Sequence, residues 1–178
     1  MSKKKKVNPR RIPLPKNSFD EKALLNEAMK DNMTHAWLLV AEQLHEAGYD
    51  ITALSEAVYE YMKKGMSSEV MSYDLKRAYA TLGFQFVSLD INRVKSPVEL
   101  EAYKRKLDRV VLDNSLSIVY LGLEKKVKQD DLKKIFFNAD LTRAELEHGL
   151  TSFDELKRHL VDRDYTLDVI DNIEQNGN

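Results

Sequence analysis

Glu42-Gln43-Leu44-His45 and Glu145-Leu146-Glu147-His148 both spell Glu-x-x-His. On a helix, residues three apart share a face, so each pair can present a carboxylate and an imidazole together. Two such pairs, joined by two further Glu residues on facing helices, hold a di-iron or di-manganese centre in helical bundles. The chain is rich in Glu, however, and such pairs arise by chance. The second pair sits on a segment expected to make about two helical turns before Gly149, a poor platform for a rigid metal site. A di-metal helical enzyme is the third and least favoured reading, and the expectation is no metal and no cofactor.

Other chemistry is sparse. There is no cysteine, which removes thiol nucleophiles, disulfides and Cys-type metal sites. Asp130-Asp131 and Asp162-x-Asp164 are acid pairs without the Gly or His partners that a metal-dependent nuclease shows. The six glycines are scattered and form no phosphate loop. Thr142 to Leu160 can be drawn as a helix-turn-helix around Gly149-Leu150-Thr151. A recognition helix opening Phe153-Asp154-Glu155 would face phosphates with two acids, so a plain helical hairpin is the better reading. An enzyme is not expected.

The charge is unevenly distributed. Seven of the 28 Lys and Arg residues fall in residues 1–16 (Lys3, Lys4, Lys5, Lys6, Arg10, Arg11 and Lys16), together with none of the 29 acids. The rest therefore carries 21 basic against 29 acidic residues, a net of −8 within an overall −1. With prolines at 9, 13 and 15, residues 1–17 read as an extended, disordered basic arm. Such an arm can neutralise phosphates of DNA or RNA, or simply solvate one end of the chain. No aromatic is interleaved, so base stacking is not suggested.

Within the arm, Lys3-Lys4-Lys5-Lys6-Val7-Asn8-Pro9-Arg10-Arg11-Ile12-Pro13 resembles the leader of small proteins encoded by phages and prophages of Gram-positive bacteria. In that group a Lys-rich start runs into Asn-Pro-Arg-Arg and then a long helix. Some proteins of this size and origin inhibit host defence, anti-CRISPR proteins among them. The resemblance implies that context, and it transfers no site residues to the body.

The elements that would position any site are helical. Ser18-Phe19-Asp20-Glu21 is a capping box, and the helix behind it runs to about Ala47, where Gly48 ends it. Its apolar residues include Leu24, Leu25, Ala28, Met29, Trp37, Val40, Ala41 and Leu44. Thr52 is expected to cap a second helix ending near Gly65, and a third runs from about Ser68 to Leu82. Ser96-Pro97-Val98-Glu99 is the best helix start, and its helix reaches Leu121 or beyond, with Gly122 as a possible stop. Shorter helices follow at 130–137, 142–148, 152–163 and 166–174. Thr142-Arg143-Ala144-Glu145 and Ser152-Phe153-Asp154-Glu155 read as capping boxes for two of them.

Between the two helical runs, Gly83 to Arg93 alone has β-type character. The expected fold is thus mainly α: a basic arm (1–17), an N-terminal bundle (18–83), an extended connector (84–95) and a C-terminal helical region (96–175). A lone extended segment leaves its backbone unpaired. A second copy of itself across a two-fold axis is the simplest partner, which predicts a homodimer with Phe84, Phe86, Leu89 and Ile91 at the contact.

No stretch is apolar enough to span a bilayer, and the basic start lacks the apolar core of a secretory signal, so a cytoplasmic protein in a bacterial host is expected. The favoured function is a non-enzymatic binding protein whose partner is a host protein or nucleoprotein. A CRISPR effector nuclease with its guide RNA has the positive channel and exposed nucleic acid that an acidic body and a basic arm would meet. The alternative is a nucleic-acid-binding phage regulator.

Overall fold

The computed structural model describes residues 18–65 and 69–161. These form six α-helices: α1 (Ser18–Glu46), α2 (Ile51–Gly65), α3 (Glu69–Leu82), α4 (Pro97–Leu123), α5 (Gln129–Glu147) and α6 (Phe153–Val161), with one 3-10 turn at Ile91–Arg93. No strand occurs among the described residues.

Two long helices organise the molecule. α1 and α4 lie side by side and run in the same sense. The Tyr103 hydroxyl of α4 donates to Glu21 of α1 at 2.9 Å, and further along Leu107 and Val111 bury Ala28. α2 and α3 pack chiefly on α4, whereas α5 and α6 pack chiefly on α1. The core accordingly mixes the two halves of the chain: Trp37, Leu39, Leu44 and Val58 share it with Val119, Leu123, Leu132 and Leu156.

This corrects the expectation of two bundles joined by a connector. Amphipathic faces are legible in the sequence, but which faces meet is not. α1 carries enough apolar surface to need partners from both halves, and α4 supplies the largest one. Leu25 and Met29, read as part of that face, in fact lie on its exposed side.

Several helix limits also differ. α2 is capped by Asp50, whose carboxylate accepts from the Ala53 N–H at 3.2 Å, and not by Thr52. α5 is continuous where two helices were expected. Thr142 sits inside it and donates to the Asn138 carbonyl at 3.2 Å, so its Thr-x-x-Glu spacing marks no helix start. The two starts at Ser96 and Ser152 do form, each hydroxyl accepting from the N–H three residues on at 3.2 Å. At 18 the helix begins as expected.

Gly122 is the last residue but one of α4, which ends at Leu123, close to the expected stop. A Cβ there would stand 2.8 Å from the Val58 Cα, so a bare backbone is what lets α2 and α4 approach this closely. Gly83 closes α3 with φ near 73°; Phe84 N–H donates back to the Tyr79 carbonyl at 3.0 Å, a bond typical of a left-handed helix stop.

Candidate functional site: a charged cleft beside the α1–α4 seam

Where α1 and α4 diverge from their shared core they leave a cleft of about 780 Å³. Its floor is largely apolar, with Leu24, Ala28, Leu107 and Leu112, and buried Asn32 donates to the Ala28 carbonyl. One end is closed by Leu146 of α5 and by Phe153 of α6. The Phe153 ring stacks on the His35 imidazole with centroids 3.7 Å apart.

The walls are charged. α1 contributes Glu27 and Asp31, α4 contributes Lys104, Arg105, Lys106, Asp108 and Arg109, and α5 contributes Arg143 and Glu147. Helical spacing explains the arrangement, because Glu27/Asp31, Arg105/Arg109 and Lys104/Asp108 are each four apart and flank the apolar stripes that join the helices. None of the seven on α1 and α4 is in an ion pair with a described residue. Partial desolvation, reinforced by the Glu27 charge, raises the exposed Asp108 carboxyl above its ordinary value, and nearby Lys104 partly opposes this.

At the closed end Arg143, itself part of the lining, fastens three parts of the chain. Its guanidinium donates to the buried Asp113 of α4 at 2.6 Å and to Asp140 at 2.7 Å, and it lies 5.5 Å above the Phe84 ring. Burial raises Asp113 above the ordinary carboxylate value, and Arg143 offsets only part of that. Tyr79, whose hydroxyl donates to the Val110 carbonyl at 3.3 Å, is pushed up to about 12 by burial and then by Asp113.

A second cleft, of about 630 Å³, lies among α2, α3 and α4. Glu56, Glu60 and Asp74 line it, and Arg77 bridges it to Glu124 with bonds of 2.5 and 2.8 Å.

The residues singled out by sequence are placed as follows. Glu42 and His45 join no metal-type cluster, because Glu42 turns to His159 of α6, 3.3 Å away. His148 donates through Nδ1 to the Ala144 carbonyl at 2.7 Å, at the C-terminal end of α5. No group of three or more metal-binding side chains occurs among the described residues. Asp131 accepts from the Tyr49 hydroxyl at 2.7 Å and Asp130 is exposed, so the pair forms the acidic first turn of α5. Leu156 and Leu160 are buried, so the drawn recognition helix is held on α1 by its apolar face. No described helix is long and apolar enough to cross a membrane.

Lys3, Lys4, Lys5, Lys6, Arg10, Arg11 and Lys16 lie outside the described residues, as do Asp162, Asp164 and the expected helix at 166–174. The connector lies along its own chain. Ile91 is buried, and Leu89 and Val94 pack beside it against Tyr103 and Leu107. Phe84 sits edge-on to Tyr79 and beneath Arg143. Of the four residues expected at a dimer contact, only Phe86 stands free, stacked on Tyr79 yet 71% exposed, with Val87 beside it. An extended segment can satisfy its apolar side chains against helices without any second strand.

The seven cleft charges of α1 and α4 were not singled out in the sequence. Their signal was present as charges at fourfold spacing on the flanks of two apolar stripes, but nothing in the sequence shows that those two flanks face each other. Comparison with known protein families, with curated proteins and with solved structures finds no match to this chain.

Proposed function

We propose that this chain is a non-enzymatic phage or mobile-element protein that acts by occupying a partner. Specifically, it inhibits a host defence nuclease of the type II RNA-guided CRISPR class by blocking its engagement with DNA. The observation that carries the reading is the separation of charge: seven cations in residues 1–16 against a net of −8 on the rest. An acidic body is complementary to the positive channel in which such a nuclease holds DNA, and a basic arm suits nucleic acid already bound there. The phage-type leader agrees with that setting, the cytoplasm of a bacterial host.

The experiment is a target-cleavage reaction with purified nuclease and guide, titrated with this protein. Loss of cleavage near stoichiometric ratio supports the reading. Unchanged cleavage, with sequence-selective binding of duplex DNA by the protein alone, favours the phage regulator, the reading that the arm's seven cations support on their own. Removing residues 1–16 tests the arm in either case, since affinity carried by it falls steeply with salt and disappears with it.

The same reading includes a homodimer. Phe86 and Val87 are the part of the connector open to a second copy. A scattering mass of one chain at micromolar concentration would refute that part alone.

A further inference from the structure

We infer that the α1–α4 cleft is a docking groove for one amphipathic helix of a partner protein, a helix with an apolar edge, acidic side chains on one flank and basic side chains on the other. This rests on the reading of the chain as a binding protein and names the surface and the chemistry of what fills it.

The groove has the shape for such an occupant. Its α1 wall, Leu24 to His35, is about 16 Å long at the helical rise, or three turns. The floor between two helices is apolar, the setting in which helices dock edge-down. The charges then decide which helix. Glu27 and Asp31 call for cations along α1, while Lys104, Arg105, Lys106 and Arg109 call for anions along α4. The two walls do not neutralise each other across the cleft, because no ion pair links them. Asp108 also stands on the α4 wall, where Lys104 beside it answers part of its charge, and with four cations around it that wall stays net basic.

A uniformly charged occupant fits less well. A polyanion such as nucleic acid would meet the carboxylates of Glu27, Asp31, Asp108 and Glu147, and a polycation such as residues 1–16 would meet Lys104, Arg105, Lys106, Arg109 and Arg143. Opposite flanks also set direction, since turning a two-sided helix end for end exchanges its flanks.

The test uses the full chain and fluorescence anisotropy with labelled Leu-edged peptides of about 16 residues, long enough to span the groove. One peptide has an acidic and a basic flank, a second has the same charges scrambled, a third has basic flanks only and a fourth acidic flanks only. The two-sided peptide is expected to bind about tenfold more tightly than the others, a margin that shrinks with added salt. Arg105→Glu is expected to abolish that margin and to strengthen the all-basic peptide, and Asp31→Lys to strengthen the all-acidic one. Both positions are exposed, and circular dichroism checks that each variant folds.

The gain of the mismatched peptide cannot come from unfolding. Equal binding of all four peptides, no binding of any, or no response to either substitution overturns the inference. So does tightest binding of the all-basic peptide, which would point to the chain's own arm, or of a single-stranded oligonucleotide lost on Arg105→Glu. None of these outcomes involves the nuclease, so the cleavage assay stands or fails separately.

Discussion

Gly122 of α4 lies so close to Val58 of α2 that a Cβ on it would stand 2.8 Å from the Val58 Cα and 3.0 Å from its Cγ2. The nearest atom is backbone, so no side-chain rotation relieves it. Gly122→Ala should therefore cost about 1–3 kcal/mol, the usual range for overpacking, despite alanine's better helix propensity. Urea denaturation measures it. Val58→Ala should rescue it only in part, because the clash with the α2 backbone remains. A stabilised Gly122→Ala variant would show that the two helices can move apart freely.

Arg143→Met should destabilise the fold by about 3 kcal/mol at neutral pH, because it leaves the Asp113 carboxylate buried without its cation. Asp113 also gives a pH signature. Its folded value is raised, so the folded state binds the extra proton, and its stabilising contribution is fully present below the ordinary value of 3.8. That contribution is lost as the pH rises through the raised folded value. Wild type should therefore gain on Asp113→Asn as the pH falls through this window, in urea melts at several pH values. A constant difference would place Asp113 in an environment no different from solvent.

Arg77 and Glu124 behave in the opposite sense. The Arg77 hydrogen bond is the main cause that lowers Glu124 below its ordinary 4.5, so the stabilisation is present above that value and lost as the pH falls through the folded one. Arg77 is 40% exposed, so solvent screening limits the pair to under about 1 kcal/mol. Arg77→Ala should show that small deficit near neutral pH and lose it as the pH falls through the lowered folded value of Glu124. A deficit that persisted in acid would assign it to lost packing of the guanidinium stem.

The purified protein should hold no stoichiometric iron, manganese or zinc. Glu42 is turned to His159 and His148 to a backbone carbonyl, so neither Glu-x-x-His pair is assembled for a metal. Elemental analysis showing about two metals per chain, lost on His45→Ala, would overturn this.

The sequence by itself determined the helical character, because apolar periodicity and local capping act within a few residues. Ser96 and Ser152 start their helices where their capping spacing says they must, and Gly48 and Gly83 take the left-handed turn that ends α1 and α3. It also carried the charge separation, which is a matter of composition. Local signals misled where a tertiary need outweighed them. Thr142 looked like a cap but lies inside α5, whose Phe136, Ala139 and Leu146 form one continuous face toward the core. Gly122 does stand at the end of α4, but its bare backbone serves the contact of two helices, which no local rule shows.

The pairing of α1 with α4, the burial of Asp113 under Arg143 and the facing of Glu27 toward Asp108 join residues some 30 to 80 positions apart. No local rule reaches that far. Each amphipathic helix could bury its stripe against several others, and only the simultaneous packing of all six decides among them. That is why the connector, the most strand-like stretch in the chain, needs no strand partner within the described fold. Tyr79, Tyr103 and Leu107 cover Phe84, Leu89 and Ile91, while Phe86 and Val87 stay open.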